Sequence, residues 1–365
     1  MRILMLNYEF PPIGGGAGNA NFNLLREYSH HKGIEVDLIT SSWNKFDIDR
    51  FSDFITIHKL DIKKKDIHYW RASENISYAL SSFYYANTLL SKKKYDLIHC
   101  FFTIPPGIIP YFYNMFHKRK IPYIISLRGS DVPGFNERLK HIYWLQKPLI
   151  RDIWKHARHV VANSEGLKRL ALNTNPNQEI SVIYNGVDTE EFVPRKKRSK
   201  EFTLLTVSRL IPRKRIDEII RAMPGLKTKS KLVIAGEGPE EPRLRALAAE
   251  QNVKVEFNGF VRHELLPEMY QDADVFVLPS INEGMSNTVL EAMASGLPII
   301  TTDTGGTKEL IKGNGIILKD PSGIGDAVNS MTESKQEQYG KKSRELALNL
   351  SWKKVAEAYL KLYRR

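Results

Sequence analysis

Glu283 and Glu291 are separated by seven residues in the stretch INEGMSNTVLEAMASGLPII (281–300), and together they bracket a predicted helix start. Upstream, DVFVLPS (274–280) is an apolar run ending in proline and serine, the pattern of a buried strand. A loop follows. From Ser286 or Asn287 the period turns helical, with Val289, Leu290, Met293 and Ala294 on one face, Gly296 past the end and Pro298 beyond it. Glu283, Gly284 and Met285 therefore belong to the loop and Glu291 to the helix. Between the two acids, the amides of Ser286, Asn287 and Thr288 form the positive end of a helix at the carboxyl end of a strand, where an anion such as a diphosphate is stabilised. Carboxylates on either side seek hydroxyl groups, so the arrangement suits a sugar nucleotide. The plainer reading makes Glu283 a solvated loop acid and Glu291 a first-turn acid favoured by the helix dipole.

Cations stand at a second strand end. FTLLTVS (202–208) is followed by Arg209, a proline-containing loop, Lys214 and a predicted helix over 216–223. Arg209 by its planar fork and Lys214 as a point charge can neutralise a diphosphate; the alternative is a basic surface loop, since Arg213, Lys214 and Arg215 are consecutive. KLVIAGEGPEE (231–241) gives a strand and a glycine-rich turn, and VEFNGFV (255–261) a further strand. Near the start, RILMLNYEF (2–10) leads into PPIGGGAGN and a helix over 20–28. Its glycines miss the G-x-G-x-x-G dinucleotide pattern because Asn19 stands where the third glycine belongs.

The Glu-x7-Glu spacing followed by Ala-Met-Ala-Ser-Gly-Leu-Pro, with Arg209 and Lys214 ahead of it, resembles the signature of the retaining glycosyltransferases of family four. The resemblance extends over most of the chain. It implies an α/β protein of the GT-B fold, two Rossmann-like doubly wound domains facing a cleft. It also implies transfer of a hexose-type sugar, with retention, from a nucleoside diphosphate (UDP favoured over GDP) to an acceptor hydroxyl. In that scheme Glu283 holds sugar hydroxyls, Glu291 the ribose, and Arg209 and Lys214 the leaving diphosphate. The backbone of Phe260 and Val261 faces the nucleobase, and Gly15 and Gly16 let the backbone approach phosphate and sugar. The leaving phosphate oxygen takes the acceptor's proton, so no side-chain base is obligatory. One segment departs from the family: SLRGSDVP (126–133) has Arg128 where many relatives carry the histidine of His-Gly-x-Asp. Arg128 is expected either to reach a phosphate or anionic acceptor, or to salt-bridge Asp131. Two other classes stay open, a different GT-B enzyme such as a sugar-nucleotide epimerase or phosphorylase, and a catalytically silent sugar-nucleotide-binding subunit.

The elements that position these residues alternate between strand-like and helix-like runs along 365 residues, more than one core usually organises. The expected division is an acceptor-binding domain over 1–187 and a donor-binding domain over 188–350, joined by the charged linker NGVDTEEFVPRKKRSKE. The closing amphipathic helix, 351–365, is expected to pack back onto the first domain, as the resemblance implies. Asp272-Ala273-Asp274 matches the metal-binding D-x-D of other glycosyltransferases, but lies where a helix ends and a strand begins. With no Cys/His cluster or H-E-x-x-H, no metal and no other cofactor is expected, and Arg209, Lys214 and the helix amides supply the positive field instead. A single cysteine, Cys100, excludes a disulfide within the chain and suggests a reducing cytoplasm.

Charge bears on the partners. Residues 1–175 hold 25 Lys and Arg against 15 Asp and Glu, a net +10 of the chain's +13. Over 140–158, Lys140, Lys147, Arg151, Lys155 and Arg158 form one helical stripe, with Trp144 on the same side and Ile142, Leu145, Leu149, Ile153 and Ala157 opposite; Pro148 should kink it or start a second helix. Such a stripe either solvates a helix or binds an anionic membrane, which would make the protein peripheral on the inner face of the membrane with a glycan, glycolipid or small-molecule acceptor. No nucleic-acid-binding module is present, and nucleic acid is not an expected partner.

Overall fold

A computed structural model describes residues 1–66, 70–194 and 201–364. The chain divides into two compact units, Met1–Asn185 with Val355–Arg365, and Gly186–Lys354. The first unit runs β1 (Arg2–Leu6), α1 (Gly16–Ser29), β2 (Glu35–Ser42), β3 (Asp47–Ser52), β4 (Ile55–Asp61), α2 (Ala72–Lys92) and β5 (Leu97–Phe101). It continues through α3 (Ile108–Phe116), β6 (Tyr123–Leu127), α4 (Lys140–His156), β7 (His159–Ala162), α5 (Glu165–Leu172) and β8 (Ile180–Val182). Its eight strands lie in the order β3-β4-β2-β1-β5-β6-β7-β8, parallel except for the edge strand β3, which is antiparallel to β4. The central strands are buried on both faces, which is why they read as unbroken apolar runs.

The second unit holds β9 (Phe202–Val207), α6 (Ile216–Ala222), β10 (Ser230–Ala235), α7 (Glu241–Glu250), β11 (Val255–Phe257), α8 (Leu266–Gln271) and β12 (Val275–Leu278). After these come α9 (Asn287–Ala294), β13 (Ile299–Thr302), α10 (Thr307–Leu310), β14 (Gly315–Leu318), α11 (Ile324–Asn329) and α12 (Glu333–Leu348), and α13 (Trp352–Arg364) follows. Six parallel strands take the order β11-β10-β9-β12-β13-β14, and Leu204, Ile219, Leu232, Val275 and Ile300 pack at the centre of its core.

Four expectations need correction. The division falls at 185/186 and 354/355 rather than at 187/188 and 350/351, because Val187 bridges Ser351 and donates its amide to the Leu350 carbonyl. The part of the expected linker ahead of 195 is packed, not loose: Phe192 is buried, and the Arg344 guanidinium donates to the carbonyls of Thr189 and Phe192 at 2.8 and 2.7 Å. Residues 195–200 of that linker lie outside the described residues, as does Arg365 of the closing helix. The first helix begins at Gly16 rather than residue 20, so Gly15 is its N-cap and Gly16 its first residue.

The fourth correction concerns α4, which is one helix with Pro148 inside it and turns a different face inward. Tyr143, Ile150, Ile153 and Trp154 are buried, while Ile142 and Leu145 of the expected core stripe are 50% and 74% exposed. Two aromatic side chains with polar tips decide the rotation. Tyr143 Oη donates to the Ser130 carbonyl and Trp154 Nε1 to Thr103 Oγ1, each at 2.8 Å, so both bury their rings without stranding a donor. Arg151 of the expected stripe donates to the Thr174 carbonyl, whereas Lys140 and Lys155 are exposed.

Buried polar ties hold the first sheet to its surroundings. The Asp37 carboxylate on β2 accepts from His58 Nε2 at 2.9 Å, Tyr95 Oη at 2.7 Å and Lys93 Nζ at 2.9 Å. Burial works against its charge, but the hydrogen bonds from His58, Tyr95 and Lys93 outweigh burial and hold its pKa at about 2. A folded-state pKa below the unfolded value of about 3.9 contributes stability that is complete above pH ~4 and lost as pH falls through ~2. Asp37→Asn is therefore expected to cost about 2 kcal/mol at pH 7. Urea unfolding at pH 7 and at pH 3 checks this, since the difference from the parent must shrink in acid.

Candidate active site

In the second sheet the chain passes from β9 outward through β10 to β11, then returns to the other side of β9 with β12. The order reverses between β9 and β12, so a crevice opens at the carboxyl ends of these two strands, where open α/β sheets bind ligands. Arg209 and Lys214 follow β9, and Glu283 and Glu291 follow β12. The topology alone thus gathers the two motifs. A backbone bond from the Ile281 amide to the Arg213 carbonyl, 2.8 Å, ties the two loops together.

Lys214 Nζ lies 2.5 Å from Glu283 Oε1, with both side chains largely buried. Burial favours the neutral acid at Glu283, yet the charges of Lys214 and Arg213 prevail and hold its carboxyl below the ordinary value. Of the three consecutive cations, Arg215 turns away to pair with Glu218 at 2.8 Å. Arg213 does not turn away: its guanidinium is largely desolvated and interacts with both Glu283 and Arg209. The cluster thus contains Arg213, which the sequence reading did not single out, as well as Lys214.

Ser286 caps α9, its hydroxyl accepting from the Val289 amide, and Asn287 and Thr288 form the helix's first turn. Glu291, one turn in, is nearly buried; Tyr270 Oη donates to its Oε2 at 2.9 Å and His263 Nε2 stands 3.4 Å from its Oε1. The 283–285 loop is backed by glycines that the motif reading missed. A Cβ at Gly306 would stand 2.2 Å from the Gly284 carbonyl oxygen, and one at Gly305 2.7 Å from that of Glu283. The cue in the sequence was the Gly-Gly pair two residues after PIITTD (298–303); His263 offered none. A small cavity under this loop is lined by Glu283, Gly284, Ser286, Thr304 and Gly306. The turn after β10 closes on the β9 exit in the same manner, since a Cβ at Gly238 would meet the Leu210 carbonyl at 2.3 Å. After β11, Phe260 is 62% exposed beyond Gly259, whose carbonyl accepts from the Gly236 amide, and Val261 follows it. Asp274 accepts from the Thr203 amide at 2.7 Å and Asp272 ends α8, so the D-x-D match serves a helix end and a strand start.

In the first unit the order reverses between β1 and β5, and the Gly15–Gly16 segment follows β1. The Gly15 amide donates to Glu9 Oε2 at 3.2 Å, and the space a Gly15 side chain would fill is open. The Arg128 side chain does not form the expected salt bridge to Asp131, whose Oδ1 accepts from the Arg128 backbone amide instead. Its guanidinium stacks over Phe101 at 4.3 Å and donates to Asn185 Oδ1 at 3.0 Å and Tyr359 Oη at 3.4 Å. Asp131 instead accepts from the backbone amides of Thr103, Arg128 and Gly129. Burial raises the Asp131 pKa even so, with those amides opposing it.

Two parallel-dominated Rossmann-like sheets with these switch points make this a GT-B protein. Residues 187–346 match the family of glycosyl transferases group 1, and residues 14–191 match Glycosyltransferase Family 4. An uncharacterized glycosyltransferase of Methanocaldococcus jannaschii is 30% identical over 273 residues, 68% of this chain and 69% of the relative. A second from that organism is 27% identical, with 100% of this chain and 98% of the relative aligned. Sucrose-phosphate synthase from Thermosynechococcus elongatus has the same fold, with a TM-score of 0.85 at 21% identity over 100% of this chain and 98% of its own. Anabaena HepE, solved in complex with UDP and glucose, gives 0.75 at 17% identity, covering 99% of this chain and 98% of its own. The chain belongs to the group 1, family four glycosyltransferases.

Proposed function

We propose that this glycosyltransferase moves a hexose-type sugar from a nucleoside diphosphate, UDP in preference to GDP, to an acceptor hydroxyl with retention and without a metal. The observation that carries the reading is the gathering of Arg209, Arg213, Lys214 and Glu283 at the β9/β12 switch point beside the start of α9. The cations and the helix end stabilise charge that develops on the leaving diphosphate. Lys214, already turned to Glu283, ties the group that holds the sugar to the cations that hold the phosphate. Glu283 takes sugar hydroxyls and Glu291 the ribose, while the departing phosphate oxygen accepts the acceptor's proton on the face of attack. An epimerase would convert the nucleotide sugar with no acceptor present, and a silent subunit would bind it without turnover.

The test pairs binding with turnover. UDP-sugars are expected to raise stability by about 2.7 kcal/mol at a hundredfold excess over Kd. UDP release should require an acceptor, and the product should keep the donor's anomeric configuration. No stabilisation by UDP, GDP or ADP sugars would overturn the reading. Activity is expected to survive exhaustive dialysis against EDTA; a loss restored only by Mg2+ or Mn2+ would sink the metal-free part.

The acceptor, on this reading, lies at an anionic membrane. Among the described residues no helix is long and apolar enough to span a bilayer, so attachment would be peripheral. Trp144, Leu145 and Ile142 are exposed at the start of α4 beside the exposed Lys140, and the first 175 residues carry the net +10. Vesicles of rising anionic lipid content should pellet the protein at low salt and release it at high salt. Trp144→Ser with Leu145→Ser should weaken pelleting several-fold, and unchanged pelleting would remove α4 as the contact.

A further inference from the structure

His263 stands between two carboxylates. It opens the short helical turn His263–Leu265 after β11, with Nε2 3.4 Å from Glu291 Oε1 and Nδ1 3.5 Å from Glu191 Oε1. The ring packs edge-on against the buried Phe192 at 5.3 Å, and Tyr270 holds the other Glu291 oxygen. Each oxygen of Glu291 is thereby directed by a separate group, one from α8 and one from the turn ahead of it.

The charged groups around His263 are unbalanced. Glu291 faces it from α9, Glu191 from the segment ahead of β9, and Glu264 from its own turn, while Arg344 on α12 is committed to carbonyls of the 189–192 segment. The hydrogen bond to Glu291 raises the His263 pKa above its ordinary value; burial lowers it, and the charges of Glu291, Glu191 and Glu264 add to the rise.

We propose that His263 is a positioning residue: as an imidazolium it fixes the Glu291 carboxylate and offsets its charge, so affinity for the ribose end of the nucleotide falls when the imidazole becomes neutral. The inference rests on the reading of Glu291 as the ribose-holding group. With the imidazolium in place, Glu291 meets a hydroxyl as an oriented acceptor. With a neutral ring it is an uncompensated negative charge close to where an anionic nucleotide binds. His263 is 40% exposed, so solvent screens the pair and the effect is modest, roughly three- to tenfold in Kd.

The experiment is calorimetric titration with UDP and with 2′-deoxy-UDP between pH 5.5 and 9. UDP should bind roughly three- to tenfold more weakly at the alkaline end. His263→Gln should bind weakly with only the phosphate's own titration left in its profile. His263→Lys, which keeps its charge, should stay tight across the range. Glu191→Gln should shift the transition to lower pH, because one of the acids that favour the imidazolium is gone. The deoxy nucleotide should lose most of the pH dependence that distinguishes the parent from His263→Gln. Circular dichroism and the Tm without nucleotide establish that each variant is folded. Equal pH profiles for the parent and His263→Gln, both folded, overturn the proposal and leave the donor site standing. Absence of UDP, GDP and ADP binding at every pH overturns the donor site and this inference with it.

Discussion

Lys214→Ala is expected to lower turnover by roughly 10² or more, the scale of losing one transition-state stabiliser. Lys214 is 8% exposed and its ammonium is the nearest partner of the largely buried Glu283 carboxylate, so the substitution removes a cation and strands an anion where the proposed donor places its diphosphate. Donor affinity and turnover should fall together. Arg213→Ala should cost less, because Lys214 remains on Glu283, and Arg215→Ala should be near the parent, because its partner is Glu218. The check is kcat and KM from UDP release for the three variants. A near-normal Lys214→Ala beside an inactive Arg215→Ala would falsify the assignment within the basic loop.

A comparable loss, about 10² in turnover, is expected from adding one methyl group at Gly306. The backbone there, at φ −105° and ψ 2°, is open to alanine, so the cost is purely steric. The new Cβ would stand 2.2 Å from the Gly284 carbonyl oxygen and 3.2 Å from Met285 Cα, and neither is a flexible side-chain end. The loop bearing Glu283 must then move by about an ångström, enough to misplace the carboxylate proposed to hold the sugar while both sheets stay folded. Gly225→Ala is the control, since a Cβ there meets nothing within 4 Å. Turnover is measured beside thermal melting; full activity in Gly306→Ala would show that the loop has slack and that the position of Glu283 does not limit the reaction.

What could be read in advance follows from how local each cause is. The central strands of both sheets were legible because burial on two faces leaves mostly apolar side chains, and the placing of Glu283 and Lys214 at one crevice was legible because both follow strand ends at a switch point. Strand β3 was missed. Its sequence DIDRFS is charged and has no buried residue, as an edge strand tolerates, and no alternation betrays it. The inward face of α4 depended on Thr103 and on the Ser130 carbonyl being there to receive a tryptophan and a tyrosine. Arg128 finds its partners 57 and 231 residues away, so local spacing pointed to Asp131, which backbone amides already occupy. Gly306 answers to a carbonyl of the neighbouring loop after β12, and a requirement set by another segment's backbone leaves no periodic trace.

The buried hydroxyl of Tyr28 donates to that of Tyr363 at 2.9 Å, and Tyr363 in turn meets His99 Nδ1 at 2.6 Å on β5. These partners are 335 residues apart in a chain made from one end. At ribosomal speeds of about 5–20 residues per second, Tyr28 is synthesised roughly 17–67 s before the group that satisfies it. The whole second unit emerges in that interval, with its own sheet complete. The first unit to be made is thus the last to be finished, because residues 355–364 that complete its packing are synthesised after the whole of the second.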